Sequence, residues 1–188
     1  MTHRKLLPIA LAALLAGMSA QAVFAQGGKN SFATSLSGYE ETPSTLSTPG
    51  SGEFAAKISD DGTRIDWQLS YRNLESNITQ AHIHFARPAL SGPIVLFLCT
   101  NLAPPAGVPT PQACPVPDGT ISGSLTAADI IPRPDQGIDP GAVGFAEVIE
   151  AFRAAAVYAN VHTTGRPSGE IRGGIGKIQD NGGHGEHN

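Results

Sequence analysis

Apolar and polar residues alternate with a period of two along most of this chain, which predicts a mainly β protein. The clearest run is Thr63–Tyr71, where Ile65, Trp67, Leu69 and Tyr71 share one face. Ser31–Leu36 and Glu53–Ser59 alternate more weakly, the second through Phe54, Ala56 and Ile58. Asp60-Asp61-Gly62 separates Glu53–Ser59 from the Trp67 run and reads as a hairpin turn, because Asp-Gly tolerates positive φ. Thr79–Phe85 sets Ala81, Ile83 and Phe85 on one face, and Val157–Thr163 does the same with Val157, Ala159 and Val161. Gly92–Cys99 is almost continuously apolar; its few residues and Gly-Pro start favour a buried strand over a helix. Thr120–Leu125 and Glu170–Ile178 complete the set, the last broken up by Gly173, Gly174 and Gly176.

Only one long segment changes period. In Val143–Ala155, Phe145, Val148, Ile149 and Phe152 fall at i, i+3, i+4 and i+7, the apolar stripe of a helix. Thr126-Ala127-Ala128-Asp129 can start a helical turn, and Gly38–Gly52 and Pro132–Gly141 are loops by composition. About eight short strands with turns between them and one inserted helix predict a Greek-key β-sandwich or barrel rather than alternating βαβ units. The high content of glycine (22) and proline (15) suits such a turn-rich fold.

The two ends follow other rules. Arg4 and Lys5, the apolar run Leu6–Met18, and the small-residue sites Ala20-Gln21-Ala22 and Val23-Phe24-Ala25 form a secretory signal pattern over residues 1–25. The alternative is an uncleaved N-terminal anchor, although a spanning helix needs about 20 apolar residues and this run is shorter. Export would leave 163 of the 188 residues, one domain over about 30–178, with no further segment able to span a membrane and a periplasmic or extracellular location. Residues 179–188, rich in Gly, His and acid, read as a disordered tail. Without Arg4 and Lys5 the chain keeps 10 Lys and Arg against 16 Asp and Glu, a net charge of −6. That balance, with no basic cluster, argues against a nucleic-acid partner.

Cys99 and Cys114 are the only cysteines. In an oxidising compartment an even pair predicts a disulfide, the alternative being two free thiols. The segment between them holds Pro104, Pro105, Pro109 and Pro111, so it is neither helix nor central strand.

Several ordered stretches resemble the CHRD domain, the module repeated in chordin and found singly in exported bacterial proteins. They are Leu36-Ser37-Gly38-Tyr39-Glu40-Glu41, Asp66-Trp67-Gln68-Leu69-Ser70-Tyr71, Ala81-His82-Ile83-His84-Phe85, Ser91-Gly92-Pro93-Ile94-Val95, Tyr158-Ala159-Asn160-Val161-His162-Thr163 and Pro167-Ser168-Gly169-Glu170-Ile171-Arg172-Gly173. The resemblance spans about residues 30–178 and implies a role in protein contacts. The H-x-H strand, the Val-His strand and the Gly-rich turn with Arg172 are similar to copper/zinc superoxide dismutase. That likeness matches His82, His84 and His162 to copper-binding histidines and Arg172 to the arginine that guides the anion. No histidine stands between His84 and His162, and Ala86–Gly92 replaces the long zinc loop. The likeness therefore implies a similar fold, a superoxide-dismutase-like or immunoglobulin-like sandwich, and does not imply dismutase activity.

Strand geometry makes the histidines a candidate metal site on its own terms. If Ala81, Ile83 and Phe85 face the core, His82 and His84 leave it together, about 7 Å apart at Cα. His162 leaves its strand on the matching face with Tyr158 and Asn160. A neighbouring strand lies about 4.8 Å away, close enough to complete a three-histidine site for copper or zinc on the surface. The bland alternative is three polar surface residues held by Asn160, Thr163 or Glu170. Asn160, Glu170 and Arg172 are candidates for the shell behind the histidines, or for a network that locks the last strand. No catalytic residue stands out: no G-x-S-x-G elbow and no Gly-rich phosphate loop occur. The reading that follows is an exported, non-enzymatic binding or structural module. Its rival is metal carriage or redox chemistry at His82, His84 and His162.

Overall fold

The computed structural model describes residues 28–104 and 106–178. The signal-like segment and the His-containing tail lie outside the described residues. The strands are β1 (Ser31–Ser37), β2 (Ser51–Ile58), β3 (Ile65–Arg72), β4 (Ile78–Phe85), β5 (Ile94–Thr100), β6 (Gly119–Leu125), β7 (Val157–Thr163), β8 (Ile171–Gly174) and β9 (Gly176–Lys177). Among the described residues one α-helix, α1 (Gly141–Arg153), is inserted between β6 and β7. All strand pairings are antiparallel. The order β5-β4-β7-β8-β1-β2-β3-β6 curls into a nearly closed barrel. The predicted last strand is two: β8 lies between β7 and β1, and beyond the buried Ile175 the chain continues as β9, which pairs with β1.

Alternation builds the core as expected. Trp67, Phe32, Phe54, Leu36, Ile58, Ile65, Leu69 and Ile83 fill the barrel, each burial contributing about 1.5–3 kcal/mol. The helix closes one end with its predicted stripe of Phe145, Val148, Ile149 and Phe152; Phe152 meets Phe32 edge to face, ring centres 5.6 Å apart. Its first turn passes so close to the preceding loop that a Cβ on Gly144 would stand 1.7 Å from the Asp139 carbonyl oxygen. Glycine is required there. Thr126 and Asp129 cap the predicted helical turn reciprocally.

The barrel is open between β5 and β6, and the proline-rich excursion spans that gap. The Gln112 carbonyl accepts the Thr100 N–H at 2.9 Å, and its side-chain amide donates to the Ser122 carbonyl at 3.0 Å. Cys99 and Cys114 form the disulfide, with Cα atoms 5.1 Å apart. Asn101 and Cys114 add hydrogen bonds in both directions. A loop of this size, closed over a separation of 15 residues, is worth about 3 kcal/mol.

Candidate metal centre

His82 and His84 lie on β4 and His162 on the neighbouring β7. Antiparallel register sets His82 opposite Asn160 and His84 opposite Tyr158, with His162 opposite Gln80. As the alternation predicts, the three rings leave the barrel interior on the same side. They do not reach the surface, which corrects the expected surface site: His82 is 0 %, His84 8 % and His162 7 % exposed. Two loops, residues 38–50 and 86–93, cover the outer side of these strands through Glu41, Thr42, Leu90 and Gly92, while β5 lies beside β4 in the same sheet and adds the Phe97 ring. Alternation reports which side a residue takes; it carries no information about what later covers that side.

One ring nitrogen from each histidine lies within 4.8 Å of the other two. The hydrogen bonds decide which nitrogens are free. His84 Nδ1 is 2.9 Å from the Gly92 carbonyl oxygen, and His162 Nδ1 is 3.0 Å from that of Pro167. A carbonyl only accepts, so each Nδ1 carries the proton and each Nε2 presents a lone pair. Both Nε2 atoms, and both nitrogens of His82, are buried with no hydrogen-bond partner. Leaving such groups unpaired costs about 1–3 kcal/mol each, and the cost falls on one spot. The backbone bonds to Gly92 and Pro167 supply the outer partners that metal-bound imidazoles use. Metal–nitrogen bonds are about 2.0–2.1 Å, so binding needs the rings to close in by about an ångström. The residues present therefore fit a copper or zinc ion. Burial keeps the rings neutral: it pushes His82 down to about 2, with His162 and His84 adding to it, and pushes His84 down to about 4 against the opposing bond to Gly92. Burial also lowers His162, opposed by Pro167.

Around the histidines runs a layered packing. Phe97 of β5 stands edge-on to His82, ring centres 4.4 Å apart. Tyr158 stacks on His84 at 4.7 Å and takes the Arg172 guanidinium over its ring at 3.4 Å. Arg172 thus acts on His84 through Tyr158. It also donates to Thr42 Oγ1 and, at 2.6 Å, to the Leu90 carbonyl, so one buried cation ties both roofing loops together. Asn160 donates to both carboxylate oxygens of Glu41 at 3.3 Å. Glu41 is 5 % exposed and is raised to about 7, by burial first, against the bonds from Asn160 and the charge of Arg172. Gly169, at φ +128, permits that meeting, because a Cβ there would stand 2.7 Å from Asn160 Oδ1 and both Glu41 oxygens. The Glu170 carboxylate accepts hydrogen bonds from Thr163 Oγ1, Thr48 Oγ1 and the Glu75 N–H, and its charge helps to raise Glu41. Asn160, Thr163 and Glu170 do not hold the histidines; backbone carbonyls hold His84 and His162, and His82 has no hydrogen-bond partner.

Glu41, Thr42, Phe97 and Tyr158 were not singled out as site residues in the sequence. Glu41 stands in a polar loop, and only its place at the end of the Leu36–Glu41 stretch that resembles the CHRD domain brought it into view.

A nearly closed antiparallel barrel with a buried histidine cluster on its outer side defines the class of this protein: a mainly β domain with, among the described residues, one α-helix. The family model of the CHRD domain matches residues 32–175, and the chain belongs to that family. The chain matches no curated protein and no solved structure. Among the described residues no helix is long and apolar enough to cross a membrane.

Proposed function

We propose that this CHRD domain is an exported, non-enzymatic module that holds one copper or zinc ion on His82, His84 and His162. The single observation that carries the reading is the set of partnerless ring nitrogens, buried and within 4.8 Å of one another. Three unpaired imidazoles are an expensive way to fill space, and a metal is the partner that satisfies all of them at once. Carriage is favoured over catalysis because the same nitrogens are closed to solvent, which leaves a substrate no approach while the roofing loops are shut. Export is supported by the sequence pattern of residues 1–25 and by the disulfide, which belongs to oxidising compartments. Contacts with a protein or envelope partner are the expected setting of such a domain.

The test is calorimetry at neutral pH on untagged protein lacking residues 179–188, so that His184 and His187 contribute nothing. One ion per chain is expected, and His84→Ala should abolish tight binding. No detectable binding of copper or zinc by the tail-deleted protein would remove the metal reading and leave a plain binding domain.

A further inference from the structure

The three histidines are neutral ligands, so whatever ion they hold keeps its full charge inside the protein. The groups around them restrict how large that charge can be. Arg172 is buried above Tyr158, and Arg133 also acts on His84; both repel a further cation. Glu170 is a buried carboxylate, but it bonds to Thr163, which alternates to the opposite side of β7 from His162. That leaves Glu41, whose carboxylate is held against the layer by Asn160, the cross-strand neighbour of His82. Its two oxygens share a single side-chain donor, and Asn160 Oδ1 is itself buried without a partner. Burial raises Glu41 to about 7, so it is only partly ionised in the metal-free protein; a cation entering the layer would draw off its proton and meet one negative charge.

Coordination number points the same way. No Cys, Asp or Glu joins the three histidines in the group of candidate ligands among the described residues. Zinc takes a fourth ligand, usually water in a three-histidine site. Here the ring nitrogens are shut off from water, with Phe97 and Tyr158 packed against the rings. Monovalent copper accepts three neutral nitrogen ligands and needs neither the water nor a second counter-charge.

We infer that the histidine site selects Cu(I) over Zn²⁺, with Glu41 as the residue that balances its charge. The inference rests on the metal reading above and narrows it to one ion and oxidation state. Glu41 is a positioning and selectivity residue; it is not a ligand.

The experiment is a competition titration of the tail-deleted protein. Cu(I) is offered against a chromophoric chelator in oxygen-free ascorbate, which leaves the disulfide intact, and Zn²⁺ against a fluorescent chelator. Cu(I) should bind one per chain and at least a hundredfold more tightly than Zn²⁺. Glu41→Gln, which keeps the shape and removes the charge, should weaken Cu(I) about tenfold or more, whereas Glu41→Asp should retain most of the affinity. Circular dichroism checks that each variant is folded. Zn²⁺ binding as tightly as Cu(I), or Glu41→Gln binding Cu(I) like the parent, overturns the inference while the metal site stands. Failure of both ions overturns the metal site as well.

Discussion

Replacing His82 by leucine should make the metal-free protein more stable and unable to bind metal. His82 is the most enclosed of the three histidines, and both of its nitrogens lack partners. A leucine of similar size removes that unpaired polarity, and its neighbour Phe97 welcomes an apolar group. The gain at pH 7 is about 1–3 kcal/mol, the usual cost of a buried unsatisfied polar group. Acid should widen the difference. The folded-state value of His82 lies at about 2, below the ordinary 6.5 of an unfolded chain. The unfolded state therefore binds the proton first. The native protein keeps its full stability above about pH 6.5 and loses it as pH falls below that value. At pH 5 the loss from this residue is 1.5 pH units at about 1.4 kcal/mol each, or about 2 kcal/mol, and the leucine variant is spared it. Glu41 works in the opposite direction, since its raised value makes the native state take up a proton as pH falls below about 7, but it does so in both proteins. Urea denaturation of chelator-treated parent and His82→Leu at pH 7 and pH 5 reads both numbers. A variant less stable than its parent at both pH values would refute the reasoning, because it would mean that the His82 nitrogens are satisfied in the metal-free fold.

Three further outcomes follow from the same structure. Replacing Cys99 and Cys114 together by alanine should cost about 3 kcal/mol in urea denaturation, and thiol titration of the denatured, unreduced parent should find no free thiol. Gly169→Ala should destabilise by about 1–3 kcal/mol, because a side chain is strained at φ +128 and its Cβ would collide with Glu41 and Asn160; a thermal melt indistinguishable from the parent would show that the turn is softer than argued. Arg172→Met should keep the barrel but loosen both roofing loops, read as faster amide exchange in residues 38–50 and 86–93, with β2 and β3 unchanged.

The sequence by itself determined the strands, the helix and the side each residue takes. The Ile65–Tyr71 alternation, the helical stripe ending at Phe152 and the shared outward parity of His82 and His84 are local properties. Backbone geometry fixes them within a few residues. The disulfide was also legible, because two cysteines admit only one pairing. Tertiary structure alone decided which strand lies beside which. That His162 reaches His82 and His84, 80 and 78 residues earlier, depends on β7 pairing with β4 in one register, which is a consequence of how the whole barrel closes. It alone decided that the histidines are buried. A strand pattern distinguishes two sides but cannot say that loops from residues 38–50 and 86–93 fold over one of them, latched by a single arginine. Glu41 was invisible for the same reason. A carboxylate in a polar loop looks solvated until the fold carries that loop onto Asn160, and only then does its charge bear on the site.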